Sequence, residues 1–164
     1  MEQNQYKLRP ESDKDNGFLR KLYQHSRDFE FINLNWRKEK KEAFLNSQFE
    51  LQTADYKRRY TAANFNIIEL SGKSIGRLYT NEEGDSIRII DIQVLPKYRR
   101  HKIEERILTD IINRARSEGR SVRLMVEKLN PKYKLLQKLG FINTDETDMH
   151  FCMERQHQED QIDA

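Results

Sequence analysis

The chain has 164 residues, 35% of them charged and 36% apolar, with a formal net charge of +3 from 30 basic and 27 acidic side chains. That length is about one domain, and the charge excess is smaller than the clustered surplus usual in a dedicated nucleic-acid-binding domain, so charge alone identifies no partner. Eight Phe, seven Tyr and one Trp exclude disorder, and the lone Cys152 excludes an internal disulfide.

No run approaches ~18 consecutive apolar residues, so no membrane span is expected. The first ten residues lack the apolar run of a signal peptide. With one cysteine, the expected compartment is a reducing cytoplasm.

Tyr6-Lys-Leu8-Arg-Pro10 alternates as a short strand. Phe18, Leu19, Leu22, Tyr23 and Ser26 then recur at helix spacing, with Ser12 or Asp13 as the N-cap. A longer helix is predicted from about Asn35 to Tyr60. Leu45, Phe49, Gln52, Tyr56 and Tyr60 share one stripe, and the opposite face is rich in Lys, Glu and Arg. The period changes to two at Phe65–Leu70 and Ile75–Tyr79, which read as a hairpin around Ser71-Gly72-Lys73. A turn is predicted over Asn81–Asp85, and a strand over Ser86–Leu95, ended by Pro96.

Helical spacing returns with Ile103, Ile107, Leu108, Ile111, Ile112 and Ala115, closed by Gly119. Val122–Val126 is a strand. Asn130–Leu139 is a short helix with Pro131 at its tolerated first turn. Phe141 onward and His150–Glu154 read as a closing pair of strands. The order predicts one α/β or α+β domain over residues 1–155, with about six or seven strands in a mixed, mostly antiparallel sheet and about four helices. Residues 156–164 are polar and read as a frayed tail.

One junction carries chemistry. The strand ending Ile92-Gln-Val-Leu95 leads through Pro96-Lys-Tyr-Arg-Arg-His-Lys102 into the Ile103 helix. Such a junction aims free backbone N–H groups and a positive dipole end at whatever lies above it, which suits an anion. Arg99, Arg100, His101 and Lys102 add positive charge. A solvated basic turn is the plain alternative.

These strings, in this order, resemble the GNAT superfamily of acyl-CoA-dependent N-acyltransferases over about residues 6–155. Asp91-Ile-Gln-Val-Leu-Pro-Lys-Tyr-Arg99 is similar to the family's central strand and pyrophosphate loop. Asn130-Pro-Lys-Tyr-Lys-Leu-Leu-Gln-Lys-Leu-Gly-Phe141 is similar to its Asn-x-x-Ala-x-x-Leu-Tyr-x-Lys-x-Gly-Phe helix and strand. The resemblance implies acetyl-CoA as cosubstrate, held by Val94, Leu95, Arg99, Arg100, His101, Lys102, Ile103, Glu104 and Asn130. It also implies that the Val94 N–H donates to the thioester carbonyl, and that Asn130 bonds the cofactor arm or, as an N-cap, the helix start.

Two positions depart from the family. Its loop reads Arg/Gln-x-x-Gly-x-Gly/Ala, but here Lys102 and Glu104 fill the small positions. A unit charge about 4 Å from a diphosphate oxygen repels it by about 4 kcal/mol at an intermediate dielectric. Lys102, Arg99 or Arg100 could offset part of that, or Glu104 could turn away toward the helix dipole. The family's Tyr that protonates the departing thiolate is replaced by Leu136, and Tyr133 lies about one turn earlier on roughly the same face.

Acyl transfer to an amine needs a base, a donor to the carbonyl oxygen and an exit for the thiolate. Asp91 and Glu127 are the candidate general bases, with a surface acid and a loop-capping acid as their plain alternatives. Tyr133 is the candidate acid, with a packing aromatic as its alternative. No His or Cys spacing suggests a metal site. Arg114, Arg116, Arg120 and Arg123 form a second basic cluster that could meet a CoA phosphate, a nucleic acid or solvent. Tyr23, Trp36 and Tyr79 either line an acceptor pocket or sit in the core.

The expected function is transfer of an acetyl group from acetyl-CoA to a small-molecule or protein amine, by a cytoplasmic monomer or homodimer. The alternative is a GNAT-fold module that binds a ligand or protein without turnover. Nucleic-acid binding through the two basic clusters is the third class.

Overall fold

Tyr6–Pro10 forms the first strand, β1, as its alternation predicts. A 3-10 turn over Asp13–Asp15 follows, with Ser12 at its N-cap. The Asp15 carboxylate accepts the Ser12 N–H at 2.8 Å. This is a computed structural model describing residues 5–157. Of the tail read from the sequence, residues 158–164 lie outside the described residues, as does the side chain of Arg100.

The helices are α1 (Asn16–Ser26), α2 (Lys38–Arg59), α3 (Ile103–Ser117) and α4 (Lys132–Lys138). The further strands are β2 (Asn64–Leu70), β3 (Lys73–Glu83), β4 (Ser86–Val94), β5 (Ser121–Glu127), β6 (Ile142–Glu146) and β7 (His150–Arg155). The seven strands run in the order β1-β2-β3-β4-β5-β7-β6, mostly antiparallel, with β4 and β5 parallel. This is the mixed α/β architecture expected from the sequence.

The chain groups into two compact units, Met1–Tyr79 with Ile92–His101, and Thr80–Asp91 with Lys102–Ala164. In the first, Leu19 and Tyr23 of α1, Leu45 and Phe49 of α2, Phe31 and Ile67 form the core cluster. Leu19, Leu22 and Tyr23 follow one helical face, as do Leu45 and Phe49 one turn apart. Trp36 and Tyr23 belong to this core, Trp36 packing edge-on against Phe31 and Phe44 with centroids 5.3 Å away in each case. That packing also explains why α2 starts at Lys38 rather than at Asn35. The chain turns back to seat Trp36 on Phe31, which leaves Arg37 extended (φ −63°, ψ 147°).

Residues Ile75–Tyr79 of β3 are all buried, with no alternation. Among them is Arg77, whose guanidinium donates to Gln52 Oε1 at 2.8 Å and lies over the Tyr79 ring. Gly76 lets β3 approach β4, since a Cβ there would sit 2.1 Å from the Gln93 carbonyl oxygen. Tyr79 is buried too, and its hydroxyl lies 2.5 Å from Glu11 Oε2.

In the second unit, Ser86–Ile89 of β4 pair in parallel with Ser121–Leu124 of β5. Both strands continue past the last of these pairs. β7 pairs antiparallel with β5 and with β6. β6 is exposed throughout and polar apart from Ile142, which suits a sheet edge. α3 buries Ile103, Ile107, Leu108, Ile112 and Ala115. The turn read over Asn81–Asp85 is shorter than expected, because β3 continues to Glu83. The Glu83 carboxylate accepts from Arg88 Nε at 3.0 Å and Asn81 Nδ2 at 3.1 Å, which holds those residues in the ladder.

The Leu-Gly-Phe string ends α4 as a Schellman motif. Gly140 takes φ 93°, its N–H donates to the Gln137 carbonyl at 3.0 Å, and the Phe141 N–H donates to the Leu136 carbonyl at 3.0 Å. Leu136 and Phe141 are both buried, the apolar contact expected of that cap.

Candidate functional site

The basic junction is a single stretch of chain. Val94 ends β4 with its side chain buried. The Leu95 N–H is already committed, donating to the Ile75 carbonyl at 2.8 Å. Pro96–His101 coils as a 3-10 turn rather than an open loop, and Arg99 and His101 are exposed. Lys102 caps α3 in the left-handed region, at φ 53° and ψ 30°. That conformation favours glycine, so the backbone keeps a glycine-like shape here at a strain of about 1–2 kcal/mol. Ile103 opens α3 and is buried.

Glu104 does not face outward alone. The Lys132 ammonium lies 2.8 Å from its Oε1, with the two side chains only 15% and 21% exposed. Burial pushes the Lys132 ammonium down, but Glu104, Asp91 and Glu127 push it up by more, so it holds its proton more tightly than an ordinary lysine. Three carboxylates from α3, β4 and β5 therefore act on one cation at the start of α4.

Asn130 builds the approach to this cation. Its Nδ2 donates to Glu127 Oε2 at 3.0 Å, and its Oδ1 accepts the Lys132 N–H at 2.9 Å. The helix-start use expected for Asn130 is present in this bond. The same pair of bonds begins α4 at Lys132 rather than at Asn130.

Tyr133 points elsewhere. Its hydroxyl oxygen accepts from Asn143 Nδ2 at 3.0 Å and Gln137 Nε2 at 3.3 Å, and its ring packs on Phe151 with centroids 4.8 Å apart. The structure thus brings Asp91, Glu104, Glu127 and Asn130 together and places Tyr133 on β6 and β7. Leu136 is fully buried.

Lys132 is the residue missed in the sequence. Its signal was its spacing, one helical turn before Leu136, at the place where the family pattern carries a tyrosine. The second basic cluster is largely neutralised. Arg114 and Arg120 bind Glu82, Arg120 also binds Glu118 at 3.0 Å, and Arg123 lies 3.6 Å from Glu154. Among the described residues no group of three or more His, Cys, Asp or Glu is arranged for a metal ion, and no helix is long and apolar enough to cross a membrane.

Residues 16–141 match the model of the acetyltransferase (GNAT) family. No curated protein matches the chain. Solved structures with the same fold include the PaiA N-acetyltransferase of Thermoplasma acidophilum in complex with coenzyme A, at 18% identity and a TM-score of 0.69, covering 93% of this chain and 99% of that one. Ard1 of Thermoplasma volcanium is 20% identical with a TM-score of 0.61, covering 94% and 99%. An acetyltransferase of Thermus thermophilus is 16% identical with a TM-score of 0.63, covering 92% and 96%. The match over residues 16–141 and the fold that carries the Lys132 cluster lead to one conclusion: the chain belongs to the acetyltransferase (GNAT) family.

Proposed function

We propose that this chain transfers an acetyl group from acetyl-CoA to an amine by direct attack. The observation that carries the proposal is the ion pair of Glu104 with Lys132 at 2.8 Å. Glu104 is the residue whose charge most opposes a diphosphate at this loop, and its charge is balanced within the protein. The left-handed Lys102 supports the same reading, because the loop keeps its backbone shape without the glycine. The residues present therefore fit the acyl donor.

In this reading the stretch from Val94 to Glu104 holds the donor. The Val94 N–H donates to the thioester carbonyl, Leu95 and Ile103 anchor the two ends of the stretch, and Arg99, His101 and Lys102 supply positive charge for the phosphates. Asp91 or Glu127 takes the proton from the acceptor ammonium, directly or through water, and Asn130 fixes Glu127. Tyr133 supports the wall formed by β6 and β7. The acceptor is a small-molecule or protein amine, and the compartment is the cytoplasm.

Calorimetric titration with acetyl-CoA at moderate salt, at two temperatures, tests the first half. A one-to-one dissociation constant in the micromolar range, about −8 kcal/mol, is expected. Release of free thiol in the presence of a panel of amines tests the second half. No heat up to millimolar donor would refute the reading and leave a GNAT fold that binds another ligand without turnover.

A further inference from the structure

We propose that His150 takes the proton from the acceptor ammonium, at the end of β5 where Glu127 stands beside it. The inference rests on the acetyl-transfer reading above and narrows it to one base. His150 opens β7 and is the register partner of Glu127, in the last pair between β5 and β7. Directly opposed residues of an antiparallel pair share a face, with Cβ atoms about 5 Å apart. By alternation Met125 and Cys152 lie on that face too, and it is open, since Met125 is 47% exposed. Glu127 lies past Leu124, the last residue of β5 paired with β4, so it and His150 stand beyond the paired part of the two parallel strands.

The two side chains differ in what already holds them. Glu127 is committed, because Asn130 Nδ2 donates to its Oε2 at 3.0 Å and it acts on the Lys132 cation. The His150 backbone is clamped by Thr147, whose N–H donates to the His150 carbonyl at 2.9 Å and whose Oγ1 accepts the His150 N–H at 3.0 Å. Its half-buried imidazole has no hydrogen bond or ion pair among the described residues. The ring is thus fixed at its root and open at its nitrogens. Of the other charged groups around it, Asp145 of β6 lies in the row of Cys152, and Asp148 lies in the turn before β7. Lys128 is held elsewhere, over the Phe151 ring and 2.6 Å from Glu146. Imidazole is the side chain that exchanges a proton between pH 5 and 8, which suits a base working near neutral pH.

The step balances with these groups. A neutral imidazole nitrogen takes one proton from the acceptor ammonium. The freed lone pair forms the C–N bond, the C–S bond breaks, and sulfur keeps its electron pair. The second proton of the nitrogen goes to that sulfur, which leaves as the thiol. The imidazolium, beside the Glu127 carboxylate, returns its proton to solvent.

The first readout needs no turnover. In the complex of protein, coenzyme A and the best aliphatic amine of the panel, the ring C–H resonances of His150 are expected to shift as the amine is added and to saturate with it. Affinity of His150→Gln for coenzyme A is expected to stay within about twofold of wild type.

In turnover, His150→Gln is expected to lose about 100-fold in kcat/KM with the aliphatic amine. With methoxyamine, which is neutral at pH 7 and has no proton to give before attack, the loss is expected to be under about threefold. The rise of kcat/KM with pH over the range in which an imidazole loses its proton is expected in wild type and absent in His150→Gln. Added imidazole is expected to restore activity to His150→Ala by at least about tenfold. Equal losses with the two acceptors, a rise retained in His150→Gln, or ring resonances that ignore the amine would overturn the role of His150 alone. A rise lost only in Glu127→Gln would return the base to the carboxylate. A wild type that binds no coenzyme A would overturn the acetyl-transfer reading together with it.

Discussion

A double-mutant cycle on Glu104 and Lys132 examines the centre of the site without any ligand. At 2.8 Å two unit charges attract by about 6 kcal/mol at an effective dielectric of ~20. Desolvation consumes most of that, so the pair adds little to net stability. Removing one partner is different. Lys132→Met leaves the Glu104 carboxylate, only 21% exposed, beside Asp91 and Glu127 without the Lys132 charge. Stripping one partner from a buried pair costs about 3–5 kcal/mol, and the residual exposure here brings the expected loss to about 2–3 kcal/mol. Glu104→Gln is expected to cost less, about 1 kcal/mol, because Lys132 retains Asp91 and Glu127. The double variant removes both charges together and is expected to fall short of the sum by about 1.5 kcal/mol or more. Urea unfolding of the four proteins with a common slope gives that coupling energy. A coupling below about 0.5 kcal/mol, the range of a solvated pair, would refute the claim that the cation is built into the site.

Further expectations concern the frame around it. Gly76→Ala places a Cβ 2.1 Å from the Gln93 carbonyl oxygen and is expected to cost about 3 kcal/mol in urea unfolding. Gly17→Ala, with nothing within 4 Å, is expected to gain a few tenths to about 1 kcal/mol, and similar losses at both sites would contradict the close-approach argument. Lys102→Gly relieves the φ of 53° but frees the unfolded chain, so a net gain of up to about 1 kcal/mol is expected. A comparable loss would show that the Lys102 side chain holds the turn together. The Arg9 guanidinium beside Asp15 lowers that carboxyl from 3.8 to about 2, against burial and helped by the Ser12 N–H. A lowered carboxyl stabilises the fold above pH 3.8 and loses that contribution as pH falls through about 2. Asp15→Asn is therefore expected to cost about 1–2 kcal/mol at pH 7 and to flatten the acid limb of a stability profile between about pH 4 and 2. An unchanged acid limb would refute that account.

The element order was legible in the sequence because local period and local punctuation carry it. Alternation places β1 and β2, and the stripes at helix spacing place α1 and α3. Gly119 and the Leu139-Gly140-Phe141 string mark where α3 and α4 stop. Boundaries slipped where a tertiary contact overrode the local rule. Trp36 folds back onto Phe31 and delays α2, and the carboxylate of Glu83 extends β3 into the first part of the predicted turn. The buried run Ile75–Tyr79 also broke the expected alternation, since packing on both faces removes the polar side that makes a period of two visible.

The sequence by itself determined the fold class, the basic junction at Arg99–Lys102 and the two positions where the family pattern is broken. These are properties of neighbours along the chain, and spacing encodes them. It could not assign Glu104 a partner or distinguish Lys132 from the other lysines of α4. Lys132 is 28 residues from Glu104 and 41 from Asp91 along the chain. Their meeting depends on α3, α4 and the ends of β4 and β5 packing at one place, and on Asn130 turning the chain so that Lys132 enters there. A charge reads as solvated from sequence and becomes a buried ion pair only when the tertiary fold removes its water and supplies its counter-charge.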